Sequence, residues 1–280
     1  MKKFVITFTL LFTLNGFAQN DLLNQIDSDE SKAPISAAFK GMKIVNLEST
    51  KLLSKKELYL VIAHRFGSIK DGFEGFFGLD NAVTQIKFIY GITDKISLSA
   101  ARSEQAFDFS GKYLIASQRE NGFPVTIVGF NSIGFNNYVK PSLIENYKSS
   151  HKLIYTNQIL ISRKFSDKFS LELAPTHFHE NYTFTVDQDN SQFAIGMGGR
   201  YKISKRISIN ADYAAHLNRA SNSDFKNPLS VGVDIETGGH VFQMHFTNSQ
   251  GIHEVGYLGN STGDWTKGDI FFGFNLVRTF

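Results

Sequence analysis

The chain has 280 residues, a formal net charge of +3 and no cysteine. The lack of cysteine excludes disulfides, thiolate metal sites and a lipid-modified cysteine at the start of an exported chain. Loss of the two N-terminal lysines with the leader described next would lower the net charge to +1. No basic cluster with interleaved aromatic residues is present, so nucleic-acid binding is not expected.

The chain begins MKKFVITFTLLFTLNGFAQN. Lys2 and Lys3 precede an apolar run over residues 4–14, and Gly16 and Ala18 place small residues before a cleavage point. This order predicts a secretory signal peptide over residues 1–18 and an exported mature chain.

Residues 19–56 show no alternation and begin with an acidic stretch, DLLNQIDSDE. Two alternatives are open for this segment: a periplasmic N-terminal arm, or a partial plug that folds into the barrel described below. The arm is favoured, because N-terminal segments are often loose unless other contacts hold them.

Period-two alternation recurs over residues 57–280, as in residues 193–203, where every second residue is bulky and apolar except Gly199. Such alternation predicts strands with two different environments on their two faces, and runs of about ten residues match tilted membrane-spanning strands. Twelve strands are predicted, near residues 57–66, 83–91, 96–103, 109–118, 125–135, 153–165, 169–179, 192–203, 207–217, 228–237, 240–248 and 269–280.

The predicted connections alternate in length. Those after even-numbered strands are short, for example residues 93–95 and 166–168, whereas most of the others are long, with an intermediate one near residues 104–108. Sorted loops and an even strand count are typical of an outer-membrane barrel whose termini both lie in the periplasm. The predicted fold is therefore an all-β, antiparallel, up-and-down transmembrane barrel of about 12 strands, in the outer membrane of a Gram-negative cell.

The final strand, GDIFFGFNLVRTF, places Phe272, Phe274, Leu276, Arg278 and Phe280 on one face. That face is expected to contact lipid, with Phe280 in an aromatic girdle at the periplasmic interface. The ending on phenylalanine is similar to the C-terminal assembly signal that bacterial barrel-assembly machinery reads, from which Arg278 departs. Outer-membrane lipid and that machinery are the expected partners.

Several short blocks together resemble an uncharacterised Bacteroidota family described as a membrane-bound β-barrel domain of unknown function. The blocks are AFKG (38–41), EL (57–58), HRFG (64–67), FFGLD (76–80), YGITD (90–94) and ARS (101–103). The resemblance implies a barrel in the outer membrane, and it brings no activity and no catalytic residues.

Few residues suggest chemistry. His177 and His179 share one face of a strand, but Glu180 points the other way and no third metal ligand has a fixed spacing, so no metal, cofactor or catalytic residue is assigned. The stretch His64–Gly67 ends the first strand. It either anchors the following loop through aromatic residues, or introduces a loop with Phe73, Phe76 and Phe77 that folds over the barrel mouth.

The lumen offers the best functional site. Charges of both signs are predicted to face inward, because a charged residue on the lipid side would cost about 2–4 kcal/mol at the midplane. Arg200 is expected to face Asn210 and to reach Asp212 diagonally. The lumen-lining residues are predicted to be Gln85, Lys87, Glu172, Arg200, Lys202, Asn210, Asp212, Asp234, Glu236 and Asn275.

These mixed charges either line a path for a small polar solute or hold the lumen closed. The first hypothesis is accordingly a small pore or transport component without catalytic activity. The alternatives are a closed barrel that acts as a scaffold or binding partner in an envelope or secretion assembly, and a membrane-embedded lipid hydrolase. Such a hydrolase would need a serine, a histidine and an orienting partner gathered in space.

Overall fold

A computed structural model describes residues 35–280. The predicted signal peptide over residues 1–18 and the acidic stretch up to residue 34 lie outside the described residues.

The predicted fold class is confirmed: twelve antiparallel strands form a closed up-and-down barrel in which β1 pairs with β12. Closure matters because every unpaired backbone group at a sheet edge would cost several kcal/mol in hydrocarbon. The strands are β1 (Leu58–Ser68), β2 (Ala82–Thr93), β3 (Ile96–Ser103), β4 (Ala106–Ala116), β5 (Thr126–Asn136), β6 (Leu153–Lys164), β7 (Phe169–Glu180), β8 (Ser191–Lys202), β9 (Ile207–His216), β10 (Leu229–Thr237), β11 (His240–Thr247) and β12 (Phe271–Thr279).

The two faces of each strand differ as the alternation predicts. In β8 the outward Phe193, Ile195 and Met197 are exposed, whereas the inward Gln192 and Ala194 are buried. An apolar outer face and a largely polar inner face identify a strand that separates hydrocarbon from a protein interior.

The connections follow the predicted sorting with one correction. The link between β3 and β4 has only two residues, because β4 begins at Ala106 instead of the expected residue 109, and the hydroxyl of Ser103 accepts from the Ala106 N–H at 3.1 Å. The irregular residues move to the opposite end of β4, where residues 117–125 form a longer connection than the predicted 120–124. Broken alternation in β4 hid this shift from the sequence pattern.

The C-terminal residue continues the pairing of β12 with β1. The N–H of Phe280 donates to the Leu58 carbonyl at 2.9 Å, and the Arg278 guanidinium lies 4.7 Å from the centre of the Phe280 ring. The ring itself is exposed on the outer side. An assembly-signal role for Phe280 stays a prediction.

Of the two alternatives for residues 19–56, residues 38–53 form the segment folded into the barrel and not the favoured loose arm. Almost every side chain between residues 38 and 53 is buried, and these residues, called the plug below, contact inward-facing side chains on all sides of the barrel. Loose termini are the rule only where nothing holds them. Here buried ionic and apolar contacts do.

A short buried helix, α1 (Glu254–Gly259), enters the same interior from the β11–β12 connection. The connection spans residues 248–270 and is called the outer loop below. One apolar core cluster joins the plug, α1 and the barrel wall, and it consists of Ala38, Phe39, Ile44, Leu47, Ile154, Phe178, Ala194, Ala214, Val255, Tyr257 and Leu258. Within residues 35–280, no helix is long and apolar enough to cross a membrane.

Candidate functional site in the barrel lumen

The plug reverses direction inside the barrel in a tight turn. The Ile44 N–H donates to the Leu47 carbonyl at 2.8 Å, and the Ser49 N–H donates to the Met42 carbonyl at 3.0 Å. The turn leaves the N–H groups of residues 45–47 without partners in the plug itself. They must be satisfied by the wall, because buried backbone donors are costly to leave unpaired.

Asp212 on β9 supplies that partner. Its Oδ2 accepts from the N–H groups of Val45 at 3.0 Å, Asn46 at 2.7 Å and Leu47 at 2.9 Å. Three buried N–H donors that would each be costly to leave unpaired are satisfied by this one oxygen. One buried carboxylate therefore fixes the tip of the plug to the wall.

Glu48 forms the second anchor and is the centre of a buried charge cluster. Its carboxylate lies 2.7 Å from the Nζ of Lys112, 3.2 Å from that of Lys87 and 3.3 Å from that of Lys43. Burial alone would raise the pKa of Glu48, but the three ammonium groups outweigh it and hold that pKa well below its ordinary value. Lys43 also contacts Glu254 of α1 at 2.8 Å, so the cluster joins wall, plug and outer loop.

A hydrogen-bond network that includes the Arg65 guanidinium holds the other side of the tip. The amide nitrogen of Asn46 donates to the hydroxyls of Ser230 and Thr247, both at 3.0 Å, and its oxygen accepts from Arg65 at 2.8 Å. Arg65 in turn donates to the Asn275 oxygen at 3.0 Å. Polar groups on β1, β10, β11 and β12 thus surround one plug side chain.

The returning limb of the plug contacts β6 and β7. The Thr50 N–H donates to Glu172 Oε2 at 2.9 Å, and the hydroxyls of Thr50 and Ser162 are 2.6 Å apart. Lys112 also donates to the carbonyl of Ser49 at 2.7 Å. Both limbs of the plug are therefore tied to the wall.

Two glycines of β8 make room for the plug. A Cβ atom at Gly196 would lie 2.7 Å from a methyl carbon of Leu47, and one at Gly198 would lie 2.6 Å from Ile44 Cδ1. The sequence pattern favours relief of strand curvature for these glycines. Close approach of the plug is what the structure requires of them.

The structure places the ten predicted lumen residues on the inner face of their strands, and all but Lys202 and Glu236, which are partly buried, are buried. Arg200 faces Asn210 in the strand register, as expected. Its guanidinium, however, pairs with Glu236 and donates to Ser208 at 3.1 Å. The predicted Arg200–Asp212 contact is not among the hydrogen bonds and ion pairs of the described chain, because Asp212 is occupied by the plug.

Sequence reasoning missed the plug residues and their wall partners Lys112 and Arg65. Glu48 lies in a segment without periodicity, and Lys112 lies in β4, where the alternation is broken. The one sequence feature that indicated a partner inside the lumen was Arg65, which lies in the HRFG block and faces inward according to the alternation of β1. Parity assigns a side chain to a face, but it does not identify a partner that is distant in sequence.

The two histidines singled out from the sequence face outward, away from the lumen. His177 Nδ1 lies 3.3 Å from the amide nitrogen of Asn157, and His179 Nδ1 lies 2.9 Å from the hydroxyl of Ser191. No group of three or more His, Cys, Asp or Glu residues suited to a metal ion occurs within residues 35–280. The loop aromatics Phe73 and Phe76 are exposed, so the loop after β1 does not bury them against the barrel mouth.

Cavities remain on either side of the plug. At the long-loop end, a cavity of about 360 Å³ is lined by amide, aromatic and histidine side chains, including Gln105, Tyr138 and His253. At the short-turn end, a cavity of about 540 Å³ is lined mainly by basic side chains. The plug and α1 separate the two, so the lumen is closed in this state.

Comparison with known proteins agrees with a membrane β-barrel fold. Residues 39–280 match the family described as "Membrane bound beta barrel domain (DUF5777)". The chain belongs to this family. A sequence search of curated proteins finds no significant match.

Solved structures of similar fold are barrels as well. The NanC porin has a TM-score of 0.50 and 11% identity, with 80% of this chain and 98% of the porin covered. An outer membrane channel from Pseudomonas putida F1 has a TM-score of 0.50 and 12% identity, with 82% of this chain and 97% of the channel covered. At these identities the likeness concerns the fold.

The outer loop of this membrane-bound barrel carries a buried histidine that makes its packing sensitive to acid. His253 Nδ1 accepts from the Gly256 N–H at 3.2 Å and so caps α1. Burial lowers the pKa of His253 to about 4; the neighbouring Glu254 opposes this shift and Lys43 adds to it. Because this native pKa lies below the ordinary value, the neutral ring contributes stability above about pH 6.5 that is lost as the pH falls toward 4.

We expect the outer loop to loosen between pH 6.5 and pH 4 while the barrel stays folded. Trp265 is the only tryptophan of the chain and lies in this loop, so its fluorescence reports the change directly. The His253→Asn variant keeps a capping oxygen and does not titrate, and its fluorescence should stay constant over this range. Equal pH profiles for the native chain and the variant would contradict the assignment.

Proposed function

We propose that this protein is an outer-membrane barrel that passes small polar solutes through a lumen closed at rest by its own plug. Support for the location comes from the family description, from the fold shared with outer-membrane channels and from the predicted export signal. Lipid and the barrel-assembly machinery are the proposed partners of the barrel itself. The proposal assigns no catalytic step.

The observation that carries the proposal is the polar character of the contact between plug and wall. Asp212, Glu48 and Asn46 hold the tip through charged and neutral hydrogen bonds. Water satisfies such groups equally well, so the polar wall groups that hold the tip would be hydrated, and not left unpaired, once the plug is displaced. A wall built only to pack a permanent core has no need of this much buried charge.

The size of the barrel also supports a passage. Eight-stranded barrels are filled by their own side chains, whereas barrels of 16 to 18 strands leave an aqueous channel. A twelve-stranded barrel lies between them, and here a chain segment, instead of wall side chains alone, fills the space.

A second candidate is a permanently closed barrel that serves as a scaffold. It is favoured by the apolar core cluster that joins the plug, α1 and the wall. In that case plug and barrel would form one folding unit, and the long loops would be the functional surface.

Planar-bilayer recording separates these candidates. The full chain should give no steady conductance, with at most rare and brief openings. A variant in which residues 38–53 are replaced by a short glycine–serine linker should give steady conductance steps, because the wall charges then face water.

The folded state of the variant must be checked by the heat-dependent mobility of barrels in detergent gels. A folded variant that conducts no better than the full chain would exclude the gated passage and favour the scaffold. Steady conductance of the full chain would also contradict closure at rest.

A further inference from the structure

The short-turn end of the barrel carries an unusual concentration of positive charge around an open cavity. The cavity of about 540 Å³ is bordered by a smaller one of about 180 Å³ that shares Lys40 and Lys51 with it. We call their basic side chains the basic mouth, which consists of Lys40, Lys51, Lys164, Lys168, Arg200 and Lys202.

Acidic residues neutralise only part of this charge. Asp167 pairs with Lys164 at 2.9 Å and Glu236 pairs with Arg200. Among residues 35–280, no carboxylate lies within 4.0 Å of the other four lysines of the basic mouth. Lysines gathered around one cavity repel each other, so the site gains free energy when an anion enters.

Residues of both the plug and the barrel wall form the basic mouth. Lys40 and Lys51 belong to the plug, whereas Lys168 and Lys202 belong to the wall, where the Lys202 N–H donates to the Lys168 carbonyl at 2.8 Å. The Lys164 ammonium donates to the Ser36 hydroxyl at 2.8 Å, which draws the start of the plug segment toward the same wall. The cavity has this lining only while the plug is in place.

We propose that the basic mouth binds a multivalent anion that carries phosphate or carboxylate groups, and that the bound anion bridges the plug and the wall. Lysine is a common phosphate ligand that acts as a point charge, and several lysines around one cavity select multiple charge over single charge. Binding of the anion at the basic mouth does not depend on the proposed transport function. Its consequence for opening, namely that the anion holds the plug closed, rests on the proposed function.

Isothermal titration of the full chain in an uncharged detergent with inorganic pyrophosphate tests the site. We expect saturable binding at low ionic strength that weakens as salt is added, because the groups are partly exposed and screened. The double variant Lys168→Gln/Lys202→Gln should bind at least tenfold more weakly. Lys168→Arg/Lys202→Arg should retain binding.

The matched control is Lys95→Gln/Lys205→Gln, which removes the same charge from exposed turns at the same end of the barrel. This control should bind pyrophosphate like the native chain. Equal weakening in both glutamine variants would show only diffuse attraction and would overturn the proposal. Lack of saturable binding by the native chain would do the same.

The phosphate is either free or part of a lipid headgroup, and a competition experiment distinguishes the two sources. Vesicles with anionic phospholipid that compete with pyrophosphate for the native chain, while zwitterionic vesicles do not, would assign the headgroup. Competition by neither would assign a free anion. If the full chain binds pyrophosphate but the plug-replaced variant does not conduct, the gated passage is disproved and the anion site remains. If the variant conducts but the full chain does not bind pyrophosphate, the anion site alone is disproved.

Discussion

Replacing Glu48 with glutamine is expected to release the plug from the barrel wall. The substitution leaves Lys43, Lys87 and Lys112 gathered in a buried space without their shared carboxylate. Breaking a buried ion pair by removing one partner costs about 3–5 kcal/mol. Since each 1.4 kcal/mol is a factor of ten, the released state should gain roughly a hundredfold or more in population. Hydrogen exchange of the backbone amides of residues 38–53 measures that gain.

The double variant Glu48→Gln/Lys87→Met is the matched control, because Glu48 is the plug residue that the Lys87 ammonium contacts. It removes one positive charge together with the negative one, so less uncompensated charge stays buried than in the single variant. Exchange in the plug should therefore be slower than in the single variant. Equal protection of the plug in the native chain and in Glu48→Gln would show that Glu48 does not anchor the plug.

A moderate fall in pH is not expected to break the ion pairs of Glu48 that hold the plug. The pKa of Glu48 lies well below its ordinary value, so its contribution is fully present above that value and is lost only as the pH falls through the lower native pKa. Lowering the pH from 7 to 5 should leave the plug in place. The outer loop, through His253, should respond first.

Asp212→Ala is expected to have the second-largest effect on the plug. It removes the acceptor of three backbone N–H groups and leaves them buried without a partner. Each unsatisfied buried donor costs about 1–3 kcal/mol, so the bound plug should lose about 3 kcal/mol or more. Faster hydrogen exchange confined to residues 43–50 is the expected measurement.

A graded series makes this test specific. Asp212→Asn replaces one carboxylate oxygen by an amide NH2 group but keeps one acceptor oxygen, so its effect should be smaller than that of alanine. Asp234→Asn is the control on the neighbouring strand, where the carboxylate accepts from Gln243 at 3.0 Å and not from a plug N–H. Equal effects at residues 212 and 234 would show that charge in the lumen, and not the plug contact, is what matters.

The strands of this barrel were predictable because their physics is local. In β8 and β9 every second side chain faces hydrocarbon, so apolar residues alternate with others over residues 193–203 and 207–217. Turn residues such as Ser204–Arg206 marked the ends for the same local reason. Where alternation fails, as in β4, the predicted start was three residues late.

The closed lumen was not predictable in the same way. Parity placed Lys87 and Asp212 inside, but their partners Glu48 and Val45 lie in a segment with no periodic pattern. The contacts join residues that are far apart in sequence, for example Asn46 and Asp212, and no rule based on residue spacing predicts such a pair. The sequence leaves open whether the inward charges line a path or hold the lumen closed, and in the structure several of them bind a segment of the same chain.

A disulfide between plug and wall tests the central claim most directly. The hydroxyls of Thr50 and Ser162 are 2.6 Å apart, and the chain has no cysteine of its own, so Thr50→Cys/Ser162→Cys offers one defined pair within reach of a disulfide. We expect this pair to cross-link in the exported protein, with a shift in gel mobility that a reductant reverses. Thr50→Cys/Ser230→Cys should not cross-link, because Ser230 contacts Asn46 instead. Absence of the first cross-link, or equal formation of both, would contradict a plug seated in the lumen.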